Sequence, residues 1–375
     1  MALTEIPVEL SSTPGIADSS NATAITIDSS ERLLLGRTAI HSDTSENNYY
    51  SKIFIQGNTS SATGDAGITV ARGEAADAAN NLLGRYLFSD VNGGDGASVD
   101  AYAESAWGTD SFPTYMTFST STTRPLVERL RINSAGNLGI GVTPEAYGSG
   151  YKALDIGSHS GIMAGASGSA FYLNENSYWD GSNFKAKNTA AGSNYLQTNG
   201  EHRWSTMASV SADANQTVTR VMTVDTAGHI TMPLQPAFQA TTSVAVEDIG
   251  TNGAENTVKF GNQVFDQNGD FDDSTFTFTA PVTGKYQLQV GLFLGNVDSA
   301  ATYIRTTINT SNRNYHYIED PNFSADKERH MHTVVALGDM DANDTAHVTL
   351  GQYEGTAQMD ATATTESVFS GYLVA

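Results

Sequence analysis

Three observations predict an all-β chain built of small modules joined by hairpins. Only 16% of the residues are charged, and Gly, Ser, Thr, Asn and Ala dominate over helix-favouring Lys, Glu, Arg and Leu. Val, Ile, Thr, Tyr and Phe recur in short runs separated by Gly, Asn and Asp clusters, the pattern of strands and turns. One phrase occurs three times: I-T-I-D-S-S-E-R-L-L-L-G at 25–36, L-R-I-N-S-A-G-N-L-G-I-G at 130–141 and M-T-V-D-T-A-G-H-I-T-M-P at 222–233.

Each copy reads as a β-hairpin. Leu130 and Ile132, then Leu138 and Ile140, alternate so that one face is apolar. Asn133, Ser134 and Gly136 supply the turn, as do Asp225, Thr226 and Gly228 in the third copy. The first copy carries Glu31-Arg32 where the others have a glycine, so its turn is expected to be looser. Spaced at roughly hundred-residue intervals, the copies are expected to punctuate the ends of modules.

In chain order, residues 1–36 form an arm broken by Pro7, Pro14 and Gly15. A first module, 37–141, holds expected strands at Lys52–Gln56, Ile68–Ala71, Arg85–Phe88, Ser98–Ala103 and Tyr115–Phe118. The Ala-rich run from Glu74 to Leu83 reads as one short helix or a loop. A second module, 142–232, contains T-N-G at 198–200, a strong hairpin signal. Pro233 and Pro236 open a tail domain, 233–375. There Phe276 and Phe278, then Tyr286, Leu288 and Val290, alternate across Pro-Val-Thr-Gly, which predicts an antiparallel sandwich.

The 375 residues are enough for two or three domains, and none is cysteine, which excludes disulfides and thiolate chemistry. A net charge of −22 opposes binding to nucleic acid or an anionic membrane surface. The N-terminal M-A-L-T-E-I-P-V-E-L lacks the basic and apolar regions of a secretion signal, and no run of about 18 apolar residues is present for membrane insertion.

The phrase at 129–141, with Y-M-T-F-S-T and Glu128 before it, resembles one common in bacteriophage tail-fibre proteins; so does Y-L-N-E-N-S-Y-W-D-G-S-N-F-K with the later R-W-S-T. The resemblance covers roughly residues 68–232. It implies a virion fibre, a parallel homotrimer whose N-terminal arm docks on the tail or capsid. Residues 236–375 resemble the C1q-like (tumour-necrosis-factor-like) jelly-roll head, through P-A-F at 236–238, V-K-F at 258–260, F-T-F-T-A-P-V-T-G-K-Y at 276–286 and F-S-G-Y-L at 369–373. That family implies a ten-stranded sandwich assembling as a trimer, with Phe260, Phe276, Phe278, Tyr286, Phe369, Tyr372 and Leu373 in its core or trimer packing. One departure is Asn343-Asp344 before T-A-H-V-T-L, where the family usually carries Gly-Asp.

Chemistry leaves few signals. G-N-L-G-I-G at 136–141 is no dinucleotide fingerprint, because it lies in and after a turn and Pro144 follows instead of a helix. A Gly-x-Ser-x-Gly elbow and a Walker loop are both absent from the sequence. Asp266, Asn268 and Asp270 offer oxygens for Ca²⁺, although Phe271 stands where an EF-hand needs glycine. On a strand His330 and His332 share a face, and on a three-fold axis would set six imidazoles around one transition metal, as the fibre resemblance also implies. Arg313, Tyr315, His316, Tyr317 and Phe323 offer flat rings and hydrogen-bonding tips suited to a host glycan or protein, with Tyr315 and Tyr317 alternatively two same-face residues of a buried strand. The expected function is host attachment by a non-enzymatic homotrimeric virion fibre; the alternatives are a capsid fibre and, with 41 Asp and Glu residues of no selective spacing, a polysaccharide-degrading spike.

Overall fold

The computed structural model describes residues 25–27, 33–35, 53–55, 66–165 and 170–375, so most of the 1–36 arm lies outside the described residues. Among the described residues every regular element is a strand, and no helix is long and apolar enough to cross a membrane. The chain divides into two compact units, Met1–Glu128 and Arg129–Ala375.

In the first unit, Ile25–Ile27 pairs antiparallel with Leu33–Leu35, which pairs parallel with Ile53–Ile55. The strands Leu82–Ser89, Asp95–Ala103 and Thr114–Thr120 form an antiparallel meander, with Arg85 opposite Asp100 and Ala101 opposite Met116. The buried Asp100 carboxylate is matched by Arg85 Nε at 2.6 Å and the Ser98 hydroxyl at 2.9 Å. Ile68–Ala71 is not a strand: it lies beside Gly84 with Ile68 and Val70 exposed and makes no ladder. The Ala-rich run is a loop. Asn80 takes φ +65°, and the amides of Asn80 and Ala103 bond across to Ala103 and Asn81 carbonyls, which holds the run in place without a helix.

The second unit opens on a ladder. From the end of Val127–Ile132 the order runs Leu138–Ile140, Tyr151–Ile156, Ser160–Gly165, Ala170–Glu175, Ala190–Thr198, Glu201–Val210, Val218–Val224 and Ile230–Thr231. All neighbours are antiparallel except the parallel pair Leu138–Ile140 and Tyr151–Ile156. The T-N-G signal is the two-residue turn it promised, Asn199 and Gly200 both having positive φ between Thr198 and Glu201. A small hairpin, Ser177–Trp179 with Phe184–Ala186, carries Tyr178, Trp179 and Phe184 into a cluster with Tyr147, Ala153 and Met163. Beside that cluster Lys187 and Asp155 form a fully buried ion pair; Asp155 also accepts from Tyr147 Oη (2.6 Å) and the Glu145 amide (2.9 Å). Burial and the Asp155 charge push the Tyr147 phenol far upward, so it stays a donor.

The ladder's other face has no such cover. Directly paired positions Ile132, Leu138, Leu154, Ile162, Leu173, Tyr195, Trp204 and Met222 form one apolar row across eight strands. Leu173 and Trp204 are exposed and the others half-buried.

The second and third copies of the repeated phrase fold into the same turn. The amides of Asn133 and Asp225 donate to the carbonyls four residues on, and the Gly136 and Gly228 amides donate back. The Asn133 and Asp225 side chains each accept the fifth residue's amide at 2.9 Å, and both glycines have positive φ. Asp90 to Gly94 repeats this pattern inside the first unit's meander, where the Asp90 carboxylate accepts the Gly94 amide at 2.7 Å. The turn is therefore a general hairpin closure and not peculiar to these two copies; the turn of the first copy, expected to be looser, lies outside the described residues.

The C-terminal part is a two-sheet jelly roll. One sheet orders Asn262–Asp266, Ala237–Thr241, Val368–Leu373, Gly284–Gly295 and His330–Met340, with Asp360–Ala361 also paired to Gly284–Gly295. The other orders Phe271–Asp272, Thr277–Thr279, Thr345–Tyr353, Tyr303–Thr310 and Asn314–Glu319, with Asn256–Thr257 paired to Thr345–Tyr353. Between them Phe238, Phe260, Phe278, Tyr286, Leu288, Val290 and Phe369 are buried, Phe238 stacking on Phe271 and Phe278 at 4.8 Å between ring centres. Gly371, inside F-S-G-Y-L, has a physical reason: a Cβ there would stand 2.7 Å from Leu288 Cδ2 and 2.8 Å from Phe238 Cε1.

Two residues expected in core or trimer packing lie outside the core of the single chain. Phe276 sits in a turn at φ +60°, half-buried with its ring beside Gly261, because the strand begins only at Thr277. Tyr372 points outward and is exposed, while Leu373 packs against the core's edge. Asn343, at φ +74°, makes the turn between His330–Met340 and Thr345–Tyr353, which leaves Gly338-Asp339 within the earlier strand.

Candidate functional site

The receptor and histidine candidates lie along the edge strand Asn314–Glu319, the following loop 320–329 and the strand His330–Met340, with Arg313 beside Asp339 at one end and the histidines beside Glu319 at the other. Edge position follows from topology: Asn314–Glu319 pairs only with Tyr303–Thr310. Pro321, which cannot donate to a ladder, follows its end.

Alternation on that strand sorts the five candidates. Tyr315 is half-buried and packs against the core, as does Phe323 from the loop. Tyr317 is exposed but leans inward, its ring edge-on to His332 with centroids 4.8 Å apart and its hydroxyl 3.3 Å from Glu319. Arg313 and His316 face out, Arg313 bonding Asp339 at 2.7 Å and His316 Nδ1 lying 3.1 Å from Thr307 Oγ1. Ile318, exposed on the same side as His316, was not singled out in the sequence.

His330 and His332 do share a face, but it is the inner one. His332 is completely buried, walled by Thr306 and Tyr317, and cannot reach a neighbouring copy on a three-fold axis. Both imidazoles turn toward Glu319: His330 Nε2 is 2.8 Å and His332 Nε2 3.2 Å from the same oxygen, Oε2. Burial lowers the His332 pKa to about 4 against the opposing pull of Glu319, so the ring is neutral near pH 7. The histidines hold Glu319 below its ordinary value although its own burial acts the other way. Glu319 is the member sequence reasoning missed; it lies eleven positions before His330 across a loop, with no motif spacing to flag it.

The oxygen-rich group Asp266, Asn268 and Asp270 is a capped turn. Asp266 Oδ1 accepts the Gly269 and Asp270 amides at 3.0 and 3.1 Å, and Oδ2 accepts the Phe271 amide at 3.0 Å. Asn268 donates its Nδ2 to Asp270 at 3.0 Å. With both Asp266 oxygens engaged by backbone, the group caps the turn that carries the chain from Asn262–Asp266 in one sheet to Phe271–Asp272 in the other, and does not present a cation cage.

Residues 237–374 match the family model of the C1q domain, which places that part of the chain in the C1q-like class of β-sandwich heads. Among solved structures, the globular domain of zebrafish complement 1qA is 17% identical, covering 38% of this chain and 98% of its own, at a TM-score of 0.27. Murine APRIL at pH 8.0 is 9% identical, covering 37% and 99%, also at 0.27. Murine APRIL at pH 5.0 is 10% identical over the same shares, at 0.28. No curated protein matches the sequence.

Proposed function

We propose that the chain is a homotrimeric virion fibre that attaches its particle to a host-surface glycan or protein through the C1q-like head. The observation that carries the assembly is uncovered apolar surface in two places on one chain. The ladder's eight-strand apolar row is exposed at Leu173 and Trp204 and only half-buried elsewhere, a sheet face that calls for a covering layer. On the head, Leu337 and Tyr372 flank Gln287 in one cross-strand row, with Val335 and Met331 exposed further along the same face. Obligate interfaces have this character, and closed symmetry lets identical patches cover one another. The phage resemblance at 129–141 supports a fibre, and the absence of cysteine leaves assembly as the means of securing thin modules.

Attachment fits the edge strand, where His316 and Ile318 face outward and Arg313, exposed just before the strand, lies beside Asp339. Presented three times, weak contacts add by avidity. Analytical ultracentrifugation of the purified chain is expected to give a trimer, and Val335→Asp with Leu337→Asp a monomer or aggregate. Excess trimer is expected to block adsorption of the parent virus to its host. A stable folded monomer at micromolar concentration sinks the assembly; a trimer that leaves adsorption untouched sinks the attachment role and favours a capsid fibre.

A further inference from the structure

We propose that Glu319, His330 and His332 form, within one chain, a binding site for a divalent first-row transition ion, Zn²⁺ foremost, at the base of loop 320–329. Two imidazoles and a carboxylate are a donor set suited to such ions. In a tetrahedral or octahedral shell with bonds of about 2.1 Å, neighbouring ligand atoms lie roughly 2.8–3.4 Å apart. The Glu319 oxygen is 2.8 Å from one imidazole nitrogen and 3.2 Å from the other, and the three ligand atoms all lie within 4.8 Å of one another.

A hydrogen-bonded triad explains only part of this arrangement. Glu319 Oε2 lies at hydrogen-bonding distance and angle from His330 Nε2. His332 Nε2, though 3.2 Å from the same oxygen, lies off the angle a hydrogen bond needs and has no partner, on a side chain that is 0% exposed. A buried ring nitrogen left without a bond is costly, and this one lies 3.2 Å from the carboxylate oxygen. Thr306, itself buried, has Oγ1 2.9 Å from His332 Nδ1. With Nδ1–H donated to the Thr306 hydroxyl, the Nε2 lone pair would be free for an ion, the usual arrangement of an outer partner to a ligating histidine.

The ligands come from both ends of the loop. Glu319 ends one strand, His330 and His332 begin the next, and the two strands belong to opposite sheets. An ion bound by all three closes loop 320–329 at its base. His330 and Glu319 are only half-buried, so the open side gives the ion a path and leaves room for water in its shell.

The full-length protein, stripped with chelator and exchanged into chelator-free buffer, is titrated with ZnCl₂ by calorimetry and with CoCl₂ by visible absorption. The expected result is one ion per chain and a Co²⁺ d–d spectrum, with affinity falling about tenfold or more in both Glu319→Gln and His330→Ala. Hydrogen exchange of the wild-type protein adds a readout that survives a poorly folding variant: Zn²⁺ is expected to slow exchange in loop 320–329. Failure to bind stoichiometric ion, binding unchanged in either well-folded variant, or protection confined to other regions each overturns the site.

Discussion

Replacing Lys187 by Met puts the largest single demand on the ladder module. The Lys187 and Asp155 side chains are 2% and 1% exposed, so neither charge has water to fall back on. In Lys187→Met, Asp155 keeps the Tyr147 hydroxyl and the Glu145 amide but loses the ammonium paired with it, leaving a buried carboxylate without that counter-charge. Breaking one side of such a pair costs about 3–5 kcal/mol. Asp155→Asn makes the converse defect, stranding an ammonium that keeps only the Ser160 carbonyl at 3.3 Å. The double variant removes both charges, and neutral replacement of a buried pair is far less costly than either half. The expected pattern is two large single losses and a double loss well below their sum. Urea titrations at one fixed protein concentration, read by hydrogen exchange in peptides covering 151–165 and 184–198, measure all four corners of the cycle. A Lys187→Met cost under about 1 kcal/mol, or strictly additive single losses, would refute the reasoning.

Gly371→Ala should destabilise the head by about 1–3 kcal/mol, because the new methyl meets Leu288 and Phe238 inside the core; an unchanged melting temperature would show that the core yields there. Gly136→Val forces a β-branched residue to φ +78° and is expected to cost on the order of 1–3 kcal/mol, read as faster exchange in the hairpin 130–140. Asp326 accepts the Ser299 amide and hydroxyl and the Gln358 amide group, and these bonds hold its pKa at about 2. Since that folded value lies below the ordinary 3.8, its contribution is complete above about pH 4 and fades as pH falls toward 2. The melting difference between wild type and Asp326→Asn should therefore shrink across that window, and a constant difference would contradict it.

Period-two alternation made the head's core legible: Tyr286, Leu288 and Val290 are buried as their spacing requires. Local turn chemistry was equally plain at Asn133 and Asp225, whose side chains bond within their own five residues. What escaped was set by distance along the chain. His330 and His332 had to share a face, but which face depends on how Gly284–Gly295 pairs beside them and what the opposite sheet brings over them. Lys187 lies 32 positions from Asp155, and no local pattern joins a lysine in one strand's wake to an aspartate in another. The acidic run at 266–270 is ambiguous in sequence because a carboxylate that accepts backbone amides and one that holds a cation look alike there.

The five-residue turn at Asn133–Asn137 and Asp225–His229 has a consequence for how such a chain can change. Its amides, carbonyls and Asx side chain answer one another, so the closure asks little of whatever lies beyond the hairpin. A segment bounded by two such closures can be removed, duplicated or exchanged with little disturbance to the turns themselves. The length of the β ladder then becomes something that recombination between related genes can adjust in whole segments, while the head keeps its own packing.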